Sequence, residues 1–91
     1  MKLKVFGLNI PVREADLSEE DAHGLYLRKK KQILLDHNLK DEDFLHTLLH
    51  ESFHAVFDRI SLRQGVSTEA EEIICDTFAT FLLENFHLKP K

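Results

Sequence analysis

His50 and His54 stand four residues apart, with Glu51 beside the first, inside the run Phe44-Leu45-His46-Thr47-Leu48-Leu49-His50-Glu51-Ser52-Phe53-His54-Ala55-Val56-Phe57. On a helix, residues four apart lie one above the other on the same face, so two imidazoles at this spacing can converge on one metal ion. Glu51 is rotated away from that line, which suits a general base for a zinc-activated water better than it suits a ligand. A coincidental HExxH pattern would fall most readily on a polar, exposed helix. Here the neighbours Leu48, Leu49, Phe53, Ala55 and Val56 are apolar, and imidazole or carboxylate groups are costly to bury among them without a partner. A metal is such a partner.

A catalytic zinc keeps three protein ligands and one open position, so His50 and His54 need a third group. His46, Glu71, Glu72 and Asp76 are the candidates. His46 extends the row by one more turn, but three ligands at one-turn intervals span about 11 Å of helix and cannot reach one ion; it is expected as a neighbour of the cleft. Thr68-Glu69-Ala70-Glu71 matches a capping box, which would turn Glu71 back onto the helix start. That reading favours Glu72 as metal ligand and keeps Glu71 in reserve. Asp76 shares a face with Glu72 and is expected to accept a hydrogen bond from the far nitrogen of a ligating imidazole.

Taken together, Thr47-Leu48-Leu49-His50-Glu51-Ser52-Phe53-His54-Ala55 and Glu72-Ile73-Ile74-Cys75-Asp76-Thr77-Phe78-Ala79 resemble the gluzincin group of zinc metallopeptidases. They are similar in particular to the small ImmA/IrrE-like and phage-encoded metallopeptidase domains. The resemblance covers about residues 24 to 83. It departs at Phe53, where the ImmA/IrrE-like group often has Gly, and in a slightly shorter separation of Glu72 from His54 than in the larger gluzincins. It implies a minimal zincin-like fold, in which a small sheet precedes the HExxH helix and a Glu of the following helix completes the site. It also implies one zinc per chain, with His50, His54 and Glu72 as ligands and Glu51 as general base.

The elements that must position these groups are legible in the hydrophobic pattern. From Leu3 to Val12, apolar and polar residues alternate, with a break of phase at Phe6-Gly7; this predicts one strand, bent at Gly7, whose Pro11 end lies on a sheet edge. His23 to Arg28 and Gln32 to Asp36 predict a hairpin turning at Lys29 to Lys31. Acids at Asp41, Glu42 and Asp43 favour the positive end of a helix dipole, and predict a helix from Asp41 to Ile60. Ser61 to Val66 is expected to connect it to a second helix, opening at Thr68 and ending near His87, before Pro90. The expected class is α+β: a small antiparallel or mixed sheet of about three strands, then two main helices, in a single domain over residues 1–91.

The chain has 91 residues and a formal net charge of −4, and its cations cluster in Arg28-Lys29-Lys30-Lys31, read as a solvated turn; nucleic acid is not the expected partner. Neither a membrane span nor a leader is expected from the N-terminal pattern. The single cysteine, Cys75, sits among Ile73 and Ile74 as a buried thiol and fits a cytoplasmic setting. The expected substrate is a protein or peptide bound as an extended strand on a sheet edge, either Tyr26 to Arg28 or Gln32 to Asp36. An activating or targeting protein partner would supply selectivity that so small a chain has little surface to build. Tyr26 or a site histidine is expected to help hold the oxyanion. The competing expectation is a catalytically inactive zinc-binding regulatory or structural module. Such a site would more often use Cys and four protein ligands, and Glu51 would have no role in it.

Overall fold

The computed structural model describes residues 1–60 and 65–86. Four strands precede two helices: β1 (Lys2–Val5), β2 (Leu8–Ala15), β3 (Gly24–Leu27), β4 (Gln32–Asp36), α1 (Asp41–Arg59) and α2 (Thr68–Asn85). The class is α+β, and the sheet is mixed, in the order β1-β2-β4-β3. β1 with β2 and β3 with β4 are antiparallel pairs, whereas β2 and β4 run parallel.

The strand count exceeds the expected three because the bend at Gly7 is a full reversal. Phe6 and Gly7 both have positive φ, 48° and 85°, as a two-residue hairpin turn requires of both central positions. Phenylalanine is a poor residue for that conformation, so composition pointed to a bulge. Pro11 is also placed differently from its expected edge position. It lies in β2, between β1 and β4, opposite Lys2. The bond from the Val12 N–H to the Met1 carbonyl, 2.9 Å, sets the alternation that turns the Pro11 nitrogen away from β1. Pairing with β4 begins only at Val12, so no ladder bond is lost there.

Ile10, Val12, Ile33 and Leu35 project from the two central strands onto Leu48 and Ala55 of α1, and this is the core. α1 thus covers the sheet, and α2 packs on α1, burying Glu71, Cys75 and Ala79. The second hairpin turns where expected, with Lys31 at φ 54°. α1 matches its expected span to within one residue. The first residues of the connection expected at Ser61 to Val66 lie outside the described residues, and α2 ends at Asn85, two residues before the end expected near His87. No described helix is long and apolar enough to cross a membrane.

Candidate active site

The helical phase of α1 brings the His50 and His54 rings together, with centroids 4.8 Å apart in an edge-on arrangement. Their Nε2 atoms are 3.1 Å apart. From α2, the Glu72 carboxylate reaches both: Oε2 is 3.0 Å from His50 Nε2 and Oε1 is 2.8 Å from His54 Nε2. Donors on a tetrahedral zinc, about 2.0 to 2.1 Å from the ion, are separated by about 3.3 Å. Two nitrogen and two oxygen atoms already converge to nearly that spacing, and neutral imidazole with carboxylate is a donor set zinc accepts. The residues present fit the ion.

Thr68 is not the cap of α2. The cap is Ser67, whose hydroxyl accepts the Ala70 N–H at 3.1 Å. The capping box read at Thr68 is therefore one residue out of phase, and one residue is about 100° of helix rotation. Glu71 turns inward instead, 5% exposed, and its Oε2 accepts from His54 Nδ1 at 2.5 Å. A ring that donates from Nδ1 keeps the Nε2 lone pair for an ion, so Glu71 fixes the tautomer of His54. This is the role expected of Asp76. Asp76 sits beside His50 Nδ1 at a looser 3.7 Å and 3.3 Å from His46 Nε2. His46 also pairs with the Thr80 hydroxyl, so it borders the site, as the length argument required.

Glu51 is buried, 8% exposed, although it carries a carboxylate. Burial pushes its pKa above the ordinary range; His54 and His50 pull against that rise, Glu72 adds to it, and a hydrogen bond from the Tyr26 backbone N–H opposes it. The contact depends on Gly24. A Cβ there would stand 2.6 Å from Thr47 Cγ2 and 3.1 Å from Glu51 Cγ, so only a glycine lets β3 approach α1 this closely. Neither Gly24 nor the Tyr26 amide was singled out from sequence. A glycine inside a strand pattern is the signal that could have drawn attention to a close backbone approach.

The Tyr26 hydroxyl, an expected oxyanion donor, donates instead to Asp58 Oδ2 at 2.7 Å, and the Lys31 ammonium joins it at 2.6 Å. Burial raises the Asp58 carboxyl, but these two hydrogen bonds together with the charges of Lys31 and Arg28 outweigh it and hold its pKa below the usual value. Cys75, fully buried behind Glu71, has its thiol pushed up to about 12, first by burial and then by Glu71, Glu72 and Glu51.

Of the two strands expected to bind substrate, β4 is interior and β3 lies at the sheet margin. The Asp36 N–H bonds to the His23 carbonyl, and the strand alternation then turns the backbone groups of Gly24 and Tyr26 outward. Along this edge run two clefts. One, of about 320 Å³, is lined by Tyr26, Arg28, His54 and Glu72; the other, of about 340 Å³, is lined by Asp21, His23, His46 and Asp76. They meet at Gly24, His50 and Glu51, which line both. No protein-family model, curated protein or solved structure matches the chain.

Proposed function

We propose that the chain is a zinc-dependent metallopeptidase domain that holds one zinc ion through His50, His54 and Glu72 and uses Glu51 as general base. The observation that carries this reading is the convergence of His50 Nε2, His54 Nε2 and both Glu72 oxygens within 2.8 to 3.1 Å, with a buried carboxylate alongside. Zinc, when bound, supplies the polarisation of a water and of a peptide carbonyl. The protein groups do the rest. Glu51, raised above the ordinary carboxylate range by burial, is a stronger base than an exposed glutamate; it takes the proton of the attacking water and returns it to the leaving amine. Glu71 holds the His54 ring, and an extended peptide laid along the two clefts pairs with the outward Gly24 backbone groups, the Tyr26 N–H being held by Glu51. A reducing, cytoplasmic setting and a partner protein that delivers substrate belong to the same proposal, the first supported by the single buried thiol.

Glu51→Gln tests the reading, because glutamine keeps the shape and the acceptor for the Tyr26 amide while losing the base. The variant is expected to retain zinc and fold, and to lose hydrolysis of a mixture of unstructured proteins by about 10² to 10⁴-fold or more. Equal cleavage by variant and wild type, both zinc-loaded, refutes the general-base role.

A further inference from the structure

The sheet has a second margin, at the far side from the strand that borders the zinc ligands. Among the described residues, β1 has a neighbouring strand only in β2, and β2 and β4 stand between it and β3. Val5 pairs with Leu8 and Leu3 with Ile10, and the Val12 N–H bonds to the Met1 carbonyl. The alternation of an antiparallel ladder therefore directs the N–H and C=O groups of Leu3 and Val5 to β2 and turns those of Lys2 and Lys4 outward. Side chains alternate as well. Val5 belongs to the core and Leu3 packs against it, so both face α1, whereas Lys2 and Lys4 are exposed on the opposite face. The exposed residues of β2 on that face are Asn9, Pro11 and Arg13, none of them an acid. Neither lysine makes an ion pair with a described residue.

On the α1 side of this margin lies a hollow of about 320 Å³, lined by Leu3, Lys4, Val5 and Phe6 of the first hairpin and by Ser52 and Val56 of α1. Phe6 lines it and is nevertheless 67% exposed. A strand added to β1 would place alternate side chains on the two faces of the sheet, one set over this apolar hollow and the other beside the lysines. A second copy of β1 is a poor occupant. With its apolar side toward α1 it would set lysine across from lysine, and like charges directly opposite are destabilising in a sheet. Lysines on an edge strand guard it in this way against pairing with itself. The same lysines favour carboxylates at those positions.

We propose that the β1 edge docks an extended segment of a partner protein in which acidic and apolar residues alternate. The acids lie beside Lys2 and Lys4, the apolar side chains fill the hollow beside Phe6, and the main chain bonds to the outward groups of Lys2 and Lys4 as an added strand. This docking site shares no residue with the zinc or proton-transfer groups and does not rest on the metallopeptidase reading.

The probe is a short, capped, fluorescein-labelled peptide alternating valine and glutamate, with versions carrying glutamine or lysine in place of glutamate. Binding is read by fluorescence anisotropy at low salt on zinc-supplied Glu51→Gln protein, so that a peptidase would not consume the probe. Two cross-strand ion pairs predict about two- to thirtyfold tighter binding of the glutamate peptide than of the glutamine peptide. The lysine peptide should bind more weakly still, and the preference should shrink as salt is raised. Hydrogen exchange followed by NMR should show the Lys4 N–H becoming protected when the glutamate peptide binds. Phe6→Asn suits the positive φ before Gly7 better than phenylalanine does, so it should keep the hairpin while weakening the glutamate peptide about tenfold. Lys4→Pro removes an N–H that the β1–β2 ladder does not use and should abolish binding. Lys2→Glu combined with Lys4→Glu should reverse the preference between glutamate and lysine peptides, and serves if the proline variant does not fold.

Equal affinity for the three peptides, unchanged affinity in Phe6→Asn, an unprotected Lys4 N–H in the complex, or no binding of the glutamate peptide at millimolar concentration overturns the inference. A dimer in solution that Lys4→Pro dissociates also overturns it, and assigns the edge to a second copy. None of these readouts needs turnover, so failure of the peptidase reading leaves them standing.

Discussion

Glu71 offers the sharpest test of the site, because sequence and structure assign it different work. As a cap it would affect the start of α2; as the acceptor for His54 Nδ1–H it should affect zinc. The contact is 2.5 Å long and the carboxylate is 5% exposed, so solvent does little to replace it. A hydrogen bond to a charged group is worth about 1.5 to 3 kcal/mol and a neutral one about 0.5 to 1.5. Glu71→Gln keeps an acceptor and loses the charge, a difference of roughly 1 kcal/mol, or about five- to tenfold in zinc affinity. Glu71→Ala leaves the buried ring nitrogen without this acceptor and should approach the hundredfold loss typical of such supporting groups. Glu72→Gln replaces the charged carboxylate of the proposed ligand and should weaken binding more than Glu71→Gln. The assay is competition for zinc against a chromophoric chelator at neutral pH, with Ser67→Ala as control. That variant should lose about 1 kcal/mol of stability through the cap, with unchanged zinc affinity. Wild-type affinity in both Glu71 variants, or an equal loss in Ser67→Ala, would refute the reasoning.

Other consequences follow from burial and close packing. In chelator, Glu51→Gln should melt higher than wild type at pH 7 to 8. A carboxyl whose folded pKa is raised contributes stability that is full below its unfolded value and is lost as pH rises through the folded value. The advantage of the glutamine should therefore vanish as the pH of the melts falls through the carboxylate range, and a gap that widens in acid contradicts the assignment. Gly24→Ala forces a methyl against Thr47; overpacking of this kind costs about 1 to 3 kcal/mol, or roughly 5 to 20 °C in Tm for a chain of this size. Thr47→Ser deletes the opposing Cγ2 and should recover part of the loss, as a double-mutant cycle in thermal denaturation would measure. Cys75, with its thiol at about 12, should resist a thiol reagent at pH 8 in the native state and react at once in denaturant. Fast labelling of the native protein would mean that α2 opens readily from α1.

The helices were the most legible part of the chain. Acids at Asp41 to Asp43 and a long apolar periodicity marked α1 almost to the residue, and four-residue spacing was enough to stack His50 on His54. The strands were harder to read, because strand pairing is settled between segments. Phe6 in a left-handed conformation concealed a hairpin, and Pro11 was read as an edge residue when it sits where one ladder hands over to the next.

At the site, local periodicity could order the candidates but could not aim them. What the amino-acid sequence determined by itself was which residues share a helix face: His50 with His54, and Glu72 with Asp76. Those relations follow from the 3.6-residue turn, whatever else the chain does. The tertiary structure decided which of those faces meet. Capping by Ser67 rather than Thr68 shifted the phase of α2 by one residue and turned Glu71 into the support of His54. The placement of β3 at the sheet margin opened its edge beside the histidines, and Gly24 let that strand close over Glu51. Tyr26 was drawn to Asp58, 32 residues away in the chain. Each of these depends on contacts between segments distant in sequence, where a rotation of 100° or the width of a methyl group decides the partner, and no pattern within one segment encodes that.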